Sequence, residues 1–273
     1  LDFDVTANKI QIFTEYGYTY GYSGDFDYSE KYFKQSLDLA LEVYGLDSEK
    51  VADRYTDMVF PLIQKSEWEK AEVALKKATE LNIKLRGPEH ISVMKNYNNL
   101  GYIYLEKFDN DQAILYINRA IDMIRERFGE NHRSIGIGYM NLGASYHNKN
   151  EYRNCITYSL KAYENFKVSI GEKNPYMGIV LLNTANAYTY LNIADSAIYY
   201  YDKALKLKQE LYGEQHHEIV NTYGYMSYFF ITNGMYEEAF SVINKAIKIS
   251  DKILPVKHKL SANNHLYMSQ YYD

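Results

Sequence analysis

Apolar and polar residues alternate along this chain with the period of a helix, and the same alternation returns every 42 residues. Between His90 and Glu106, Ile91, Met94, Tyr97, Leu100, Ile103 and Tyr104 fall at the i, i+3, i+4 spacing of one helix face. Phe108-Asp109-Asn110-Asp111 interrupts it with residues that suit a helix N-cap. A second face follows through Ala113, Ile114, Ile117, Ala120, Ile121 and Ile124, and Gly129 is placed to end it as a left-handed C-terminal glycine. Arg125 and Arg127 near that end suit the helix dipole. Each period therefore predicts two helices.

Several ladders keep the 42-residue register without a slip. Gly45, Gly87, Gly129, Gly171 and Gly213 form one, and Pro255 takes the next slot. Ala71, Ala113, Cys155, Ala197 and Ala239 form another, and Ala78, Ala120, Ala162, Ala204 and Ala246 a third. Aromatic ladders run through Tyr20, Tyr104, Tyr146, Tyr188 and Phe230, and through Phe26, Trp68, Tyr152 and Tyr236. Small residues at fixed places let helix backbones approach to the short end of the roughly 8–10 Å range. The tyrosines fill what is left, with hydroxyls that need water or a partner. Most of the 31 tyrosines are expected to be packing. No single pair can bury its own faces, so stability is a sum over neighbours.

These motifs resemble the tetratricopeptide repeat. Tyr97-x2-Leu100-Gly101-x2-Tyr104, Ala113-x3-Ile117 and Ala120 match the family pattern in order, and Tyr139, Leu142, Gly143 and Tyr146 repeat it. The 42-residue length, with Gly-x-x-His at Gly87/His90, Gly129/His132 and Gly213/His216, is similar to the kinesin-light-chain type. The resemblance implies an all-α, right-handed α-solenoid. It would be a single array over residues 1–273, with repeats at 6–47, 48–89, 90–131, 132–173, 174–215 and 216–257 and a half repeat at 258–273. Three departures stand out. Ser29 and Ser36 replace alanines, Ser227 replaces the glycine of the sixth repeat, and Pro61 is expected to break the bond to the Asp57 carbonyl and kink its helix. The half-built last pair, with Leu260, Leu266 and Tyr267, and a first residue that is Leu rather than Met, predict an excised piece of a longer chain.

The resemblance also implies a ligand surface, since the first helices of such arrays line the concave face. One ligand-facing register holds Asn99, Asn141 and Asn183, with Glu15, Asp57 and Tyr225 in the other repeats. The family implies contact with the main chain of an extended peptide, and a carboxamide can both donate to and accept from any peptide unit. Bonding between repeats is the alternative role, and both stay open. Neighbouring inward positions supply Lys95, Asn98, Tyr102, Asn186, Asn221 and Tyr228. Lys95 alone holds a place suited to gripping a carboxylate. Glu15, Asp53 and Asp57 make the N-terminal end acidic, which predicts a basic stretch in the ligand.

Composition narrows the rest. Thirty Lys and Arg against 35 Asp and Glu give a net charge of −5, which leaves no basic excess for nucleic acid. One cysteine gives neither an intrachain disulfide nor a thiolate metal cluster. No apolar run is long enough to span a bilayer. His90, His132, His216 and His258 share one loop position per repeat, and ligands spread over successive helix pairs cannot meet at one ion. Cys155 fills an alanine slot and reads as a buried inert thiol. No phosphate-binding glycine loop or nucleophile elbow occurs.

The reading is thus a binding module with no catalytic residues, cofactor or metal. Its partner would be a protein or peptide, and its expected compartment the cytoplasm, with the periplasm open. The alternative is a regulatory array acting on an effector domain of the same polypeptide. The resemblance implies a CHAT protease or histidine kinase there, since such repeats are frequent in bacterial proteins of that build. At the helix crossings, Ala120→Phe should cost about 1–3 kcal/mol through overpacking. A shift of the thermal melt relative to wild type checks this.

Overall fold

The computed structural model describes residues 3–253. Twelve α-helices account for nearly all of them, and no strand occurs among the described residues. α1 (Phe3–Tyr22) to α6 (Asn110–Phe128) fall in one compact unit, Leu1–Gly129, and α7 (Arg133–Asn148) to α12 (Tyr236–Ile253) in a second, Glu130–Asp273. In the first unit α1 pairs with α2 (Phe26–Tyr44), α3 (Glu49–Gln64) with α4 (Trp68–Arg86), and α5 (Ile91–Glu106) with α6. In the second, α7 pairs with α8 (Tyr152–Ser169), α9 (Pro175–Tyr190) with α10 (Ala194–Tyr212), and α11 (His217–Thr232) with α12. Within each unit the second helix of one pair also packs on the first helix of the next. The expected half repeat at 258–273 lies outside the described residues, as do Pro255 and His258.

The ladders mark the element boundaries. The first helices from α3 to α11 begin at residues 49, 91, 133, 175 and 217, and the second helices at 26, 68, 110, 152, 194 and 236. Both alanine ladders are fully buried, with Cys155 at 0% exposure in its alanine slot. Gly17 and Gly101 of the first helices face bulky residues of their partner helices. A Cβ on Gly17 would lie 2.6 Å from Phe33, and one on Gly101 2.4 Å from Ile117. Where serine replaces alanine the hydroxyl finds a carbonyl across the pair. Ser29 donates to the Gly17 carbonyl at 2.7 Å, and Ser36 to that of Ile10 at 3.0 Å. Such bonds satisfy a polar group that burial would otherwise penalise.

The tyrosines pack in a repeating way. Tyr20 stacks on Tyr32, Tyr104 on Tyr116, Tyr146 on Tyr158 and Tyr188 on Tyr200, with centroids 5.2–5.5 Å apart and planes within 12°. The second member of each pair comes from the partner helix, so the stack ties the two helices of a repeat. The Tyr104 hydroxyl reaches back one repeat to the Glu72 carboxylate at 2.8 Å, where Lys107 and Lys76 also bind at 2.7 Å. Desolvation opposes that charge, yet the three donors hold the Glu72 carboxyl down to about 2.

Pro61 has no N–H to give to the Asp57 carbonyl, and α3 runs on to Gln64 with the same 16 residues as α5, α7, α9 and α11. The proline sits in the last turn, where one missing donor costs the helix little further structure. The glycine caps Gly45, Gly87, Gly129 and Gly213 do have positive φ, but ψ of 158–172° places them outside the left-handed helical well. That backbone region is open essentially to glycine alone.

A ladder that the sequence reading did not find sits at the other turn of each pair. Gly24, Ser66, Phe108, Asn150, Asn192 and Gly234, again 42 apart, all have φ between 56° and 85°. The residue after each donates its N–H to a carbonyl five residues back, as Asp109 does to Tyr104 at 2.9 Å. This closes the first helix in a Schellman-type turn. Phe108 is a poor residue for it, since its Cβ is strained there and its ring is 74% exposed. Phe108→Gly should therefore stabilise by about 1 kcal/mol. Gly129→Ala should destabilise by about 1–3 kcal/mol, and Gly129→Asn should not rescue it. Urea unfolding of the three variants reads both effects, and a Cβ at residue 129 would touch nothing within 4 Å, so the loss is backbone strain alone.

Candidate binding groove

In the second unit the first helices α7, α9 and α11 border a cavity of about 450 Å³. Ala144, His147 and Asn148 line it from α7, and Asn183, Asn186, Thr189 and Tyr190 from α9. Tyr225 and Tyr228 line it from α11, and Tyr201 reaches in from α10. Asn183, Asn186 and Thr189 are three positions apart and Tyr190 follows directly, so they share one side of α9. His147 and Asn148 are the 42-residue equivalents of Thr189 and Tyr190, and Ala144, Asn186 and Tyr228 are equivalents of one another. The cavity is thus a few register positions repeated over three helices.

The polar groups are ordered from below. Tyr201, at 1% exposure, donates to Asn186 Oδ1 at 2.7 Å and lies 3.1 Å from the Thr189 hydroxyl. Thr189 itself bonds back to the Ala185 carbonyl at 3.1 Å. Burial raises the Tyr201 phenol well above its ordinary value, so it stays a donor. Ala185, opposite Tyr201, occupies the small position of the first helix and gives the large ring room. The aromatic wall is packed on itself. Tyr190 stacks on Tyr152 at 4.8 Å and 6°, and His147 stands edge-on to both rings. Burial pushes the His147 imidazole below its ordinary value, and its Nε2 is buried with no partner among the described residues.

Four residues placed on the ligand-facing surface by the sequence meet here: Asn183, Asn186, Tyr225 and Tyr228. Asn141 is 7% exposed and is not among the lining residues, and Asn221 is half-buried outside it. In the first unit Asn98, Asn99 and Tyr102 are half-buried and Lys95 is exposed. Tyr102 lies edge-on to Trp68 with centroids 6.3 Å apart. The Asn99, Asn141 and Asn183 carboxamides make no hydrogen bond among the described residues, so the bonding between repeats left open above is not seen there.

The acidic end looks different once partners are visible. Asp53 is held by both terminal nitrogens of Arg86, at 2.7 and 3.1 Å. Asp57 pairs with Arg54 at 2.9 Å and accepts the Tyr18 hydroxyl. Burial pushes the Asp57 carboxyl above its ordinary value despite Arg54. Glu15 remains exposed and accepts from Gln11 at 3.0 Å. Two of the three carboxylates are therefore already countered within the chain, which removes the charge argument for a basic ligand at Asp53 and Asp57. The arginines come from positions that carry no arginine in other repeats, so no ladder announced them.

The loop histidines have a structural task. His90, His132 and His216 each cap a first helix, with Nδ1 accepting the N–H two residues on at 3.2 Å. Ser48 and Asn174 do the same work in their repeats, bonding Lys50 and Met177. Burial pushes the Cys155 thiol up to about 11, so at neutral pH it is protonated. Among the described residues no helix is long and apolar enough to cross a membrane.

The tetratricopeptide-repeat profile matches residues 62–126 and 134–210, and a second profile of the same description matches residues 10–42. The chain belongs to the tetratricopeptide-repeat family. No curated protein matches it. Among solved structures the repeats are similar to the apo form of the quorum sensor NprR from B. thuringiensis. That pair is 19% identical, with 100% of this chain and 71% of that one covered and a TM-score of 0.76. A STAND protein with a tetratricopeptide-repeat sensor from Pyrococcus horikoshii is 18% identical at a TM-score of 0.74, covering 98% of this chain and 38% of its own. Kinesin-light-chain repeats from Podosopora anserina are 13% identical at 0.63, over 75% and 97%. At these identities the likeness is one of fold.

The cap at His216 makes stability depend on pH. Burial, with His217 alongside, pushes the imidazole below its ordinary value. A depressed histidine contributes its stability in full above the unfolded value, and loses it as pH falls through the folded one. Once protonated, Nδ1 can no longer accept from Glu218 N–H. His216→Asn copies the Asn174 cap and should flatten part of the fall in melting temperature between about pH 7.5 and 5. Melts of the two proteins across that range give the difference directly.

Proposed function

We propose that this chain is a binding module that holds an extended segment of a partner protein along its first helices, without turnover. The observation that carries this reading is the cavity between α7, α9 and α11. Four residues assigned to the ligand-facing register line it, and among the described residues the Asn183 carboxamide has no partner of its own. A free carboxamide can pair with a peptide unit whatever the side chains are. Tyrosines beside it supply rigid contact area at small entropic cost. Asn99, Asn98, Tyr102 and Lys95 hold the corresponding register within the first unit, and Asn141 and Asn221 belong to the ligand-facing register of the second.

A second reading concerns what the binding is for. The Pyrococcus horikoshii protein carries its tetratricopeptide repeats as a sensor within a longer chain, of which the present repeats match 38%. By that analogy the array would regulate an effector domain of the same polypeptide, and the groove would receive the signal. The same residues serve both readings.

Selection from a displayed random-peptide library tests the groove. Peptides enriched on the full chain should lose at least about tenfold in affinity, roughly 1.4 kcal/mol, on Asn183→Ala/Tyr228→Ala. Tyr228 is exposed and Asn183 half-buried, so the melt should barely move. Equal affinity for wild type and variant would place the binding surface elsewhere.

A further inference from the structure

The cavity is selective as well as present, and its selectivity follows from which polar groups are already used. Every lining side chain is neutral: three amides, a threonine hydroxyl, four phenols, an alanine and His147. Among the described residues no carboxylate, amine or guanidinium borders it. An ionised group entering would give up water and meet no countercharge, which is the costly case for burial. Tyr190 is engaged by Tyr152, and His147 stands nearly perpendicular to both rings. Tyr225 and Tyr228 keep exposed rings, yet a ring face at an exposed site returns less to a cation than the water it gives up.

What remains is a set of neutral donors and acceptors. The Tyr201 proton goes to Asn186 Oδ1, which fixes that amide with Nδ2 turned away from the bond. Asn183 has both ends available, and His147 Nε2 has no partner among the described residues. Burial keeps that imidazole uncharged at neutral pH. The space, about 450 Å³, admits one long side chain with its flanking backbone.

We infer that this cavity is a specificity pocket taking one uncharged hydrogen-bonding side chain of the bound segment, a carboxamide or a phenol, and refusing carboxylates and amines. The inference rests on the groove reading above and adds the chemistry of its ligand. A carboxamide offers an acceptor to Asn186 Nδ2 and a donor to Asn183 Oδ1. A phenol offers one hydroxyl to the same pair and a ring to Tyr228.

Four probes test it on the full chain at neutral pH: the N-acetyl, N-methylamide derivatives of glutamine, tyrosine, glutamate and lysine. Saturation-transfer NMR should show the first two bound and the last two at least about tenfold weaker. Asn186→Asp can still accept from Tyr201, so the fold is kept, and its charge should admit the lysine derivative while weakening the glutamine one. Equal binding of the glutamate or lysine derivative, binding of none of the four, or an unchanged profile in Asn186→Asp would each overturn the pocket. Library-selected peptides separate this failure from that of the groove. If they lose affinity on Asn183→Ala/Tyr228→Ala but tolerate charge at every scanned position, the pocket is wrong and the groove stands. If they lose none, the groove itself is wrong.

Discussion

Close approach at the helix crossings is the constraint on which everything else rests. Gly17 against Phe33 and Gly101 against Ile117 leave no room for a single added carbon. The two alanine ladders impose the same limit one helix further on. Because these contacts recur at one spacing, the pairs of a unit are held in one orientation, and whatever the first helices carry on their outer side is presented in parallel rows. The rows, and not any one residue, create the cavity in the second unit.

Exchanging small and large residues within those rows is how the repeats differ while keeping their frame. The second-helix position facing the register of Gly17, Gly101 and Ala185 holds Phe33, Leu75, Ile117, Ser159, Tyr201 and Ile243 along the chain. Only at Tyr201 does it end in a hydroxyl long enough to reach the groove and orient Asn186. Ala144 does the converse, removing volume where Tyr102 and Tyr228 fill it in their own repeats. This cavity is thus written into a periodic scaffold by two local departures from the period.

Among the described residues the periodicity made the alternation of first and second helices and the core ladders legible in advance, because each is a statement about spacing. Capping by His90, His132 and His216 was legible as a loop position, though its geometry was not. The Phe108 turn was hidden, since its residues, glycine, serine, phenylalanine and asparagine, share a backbone angle and no side-chain chemistry. Asp53 and Asp57 looked like free charge because their arginines, Arg86 and Arg54, sit outside the ladders. In the groove, Asn183, Asn186, Tyr225 and Tyr228 were readable from the register. His147 and Tyr190 lay at the next positions of the same face and could have been found by extending it. Tyr201 belongs to another helix, and only packing brings it in.

The two turns of each repeat have a consequence for how such a chain can change length. One is closed by a residue of positive φ at a fixed place, the other by a glycine in a backbone well that nothing else enters readily. Neither turn has slack to absorb an extra residue without moving the helix that follows. Gain or loss of sequence is therefore tolerated in whole tiles, as duplication or deletion of a complete pair.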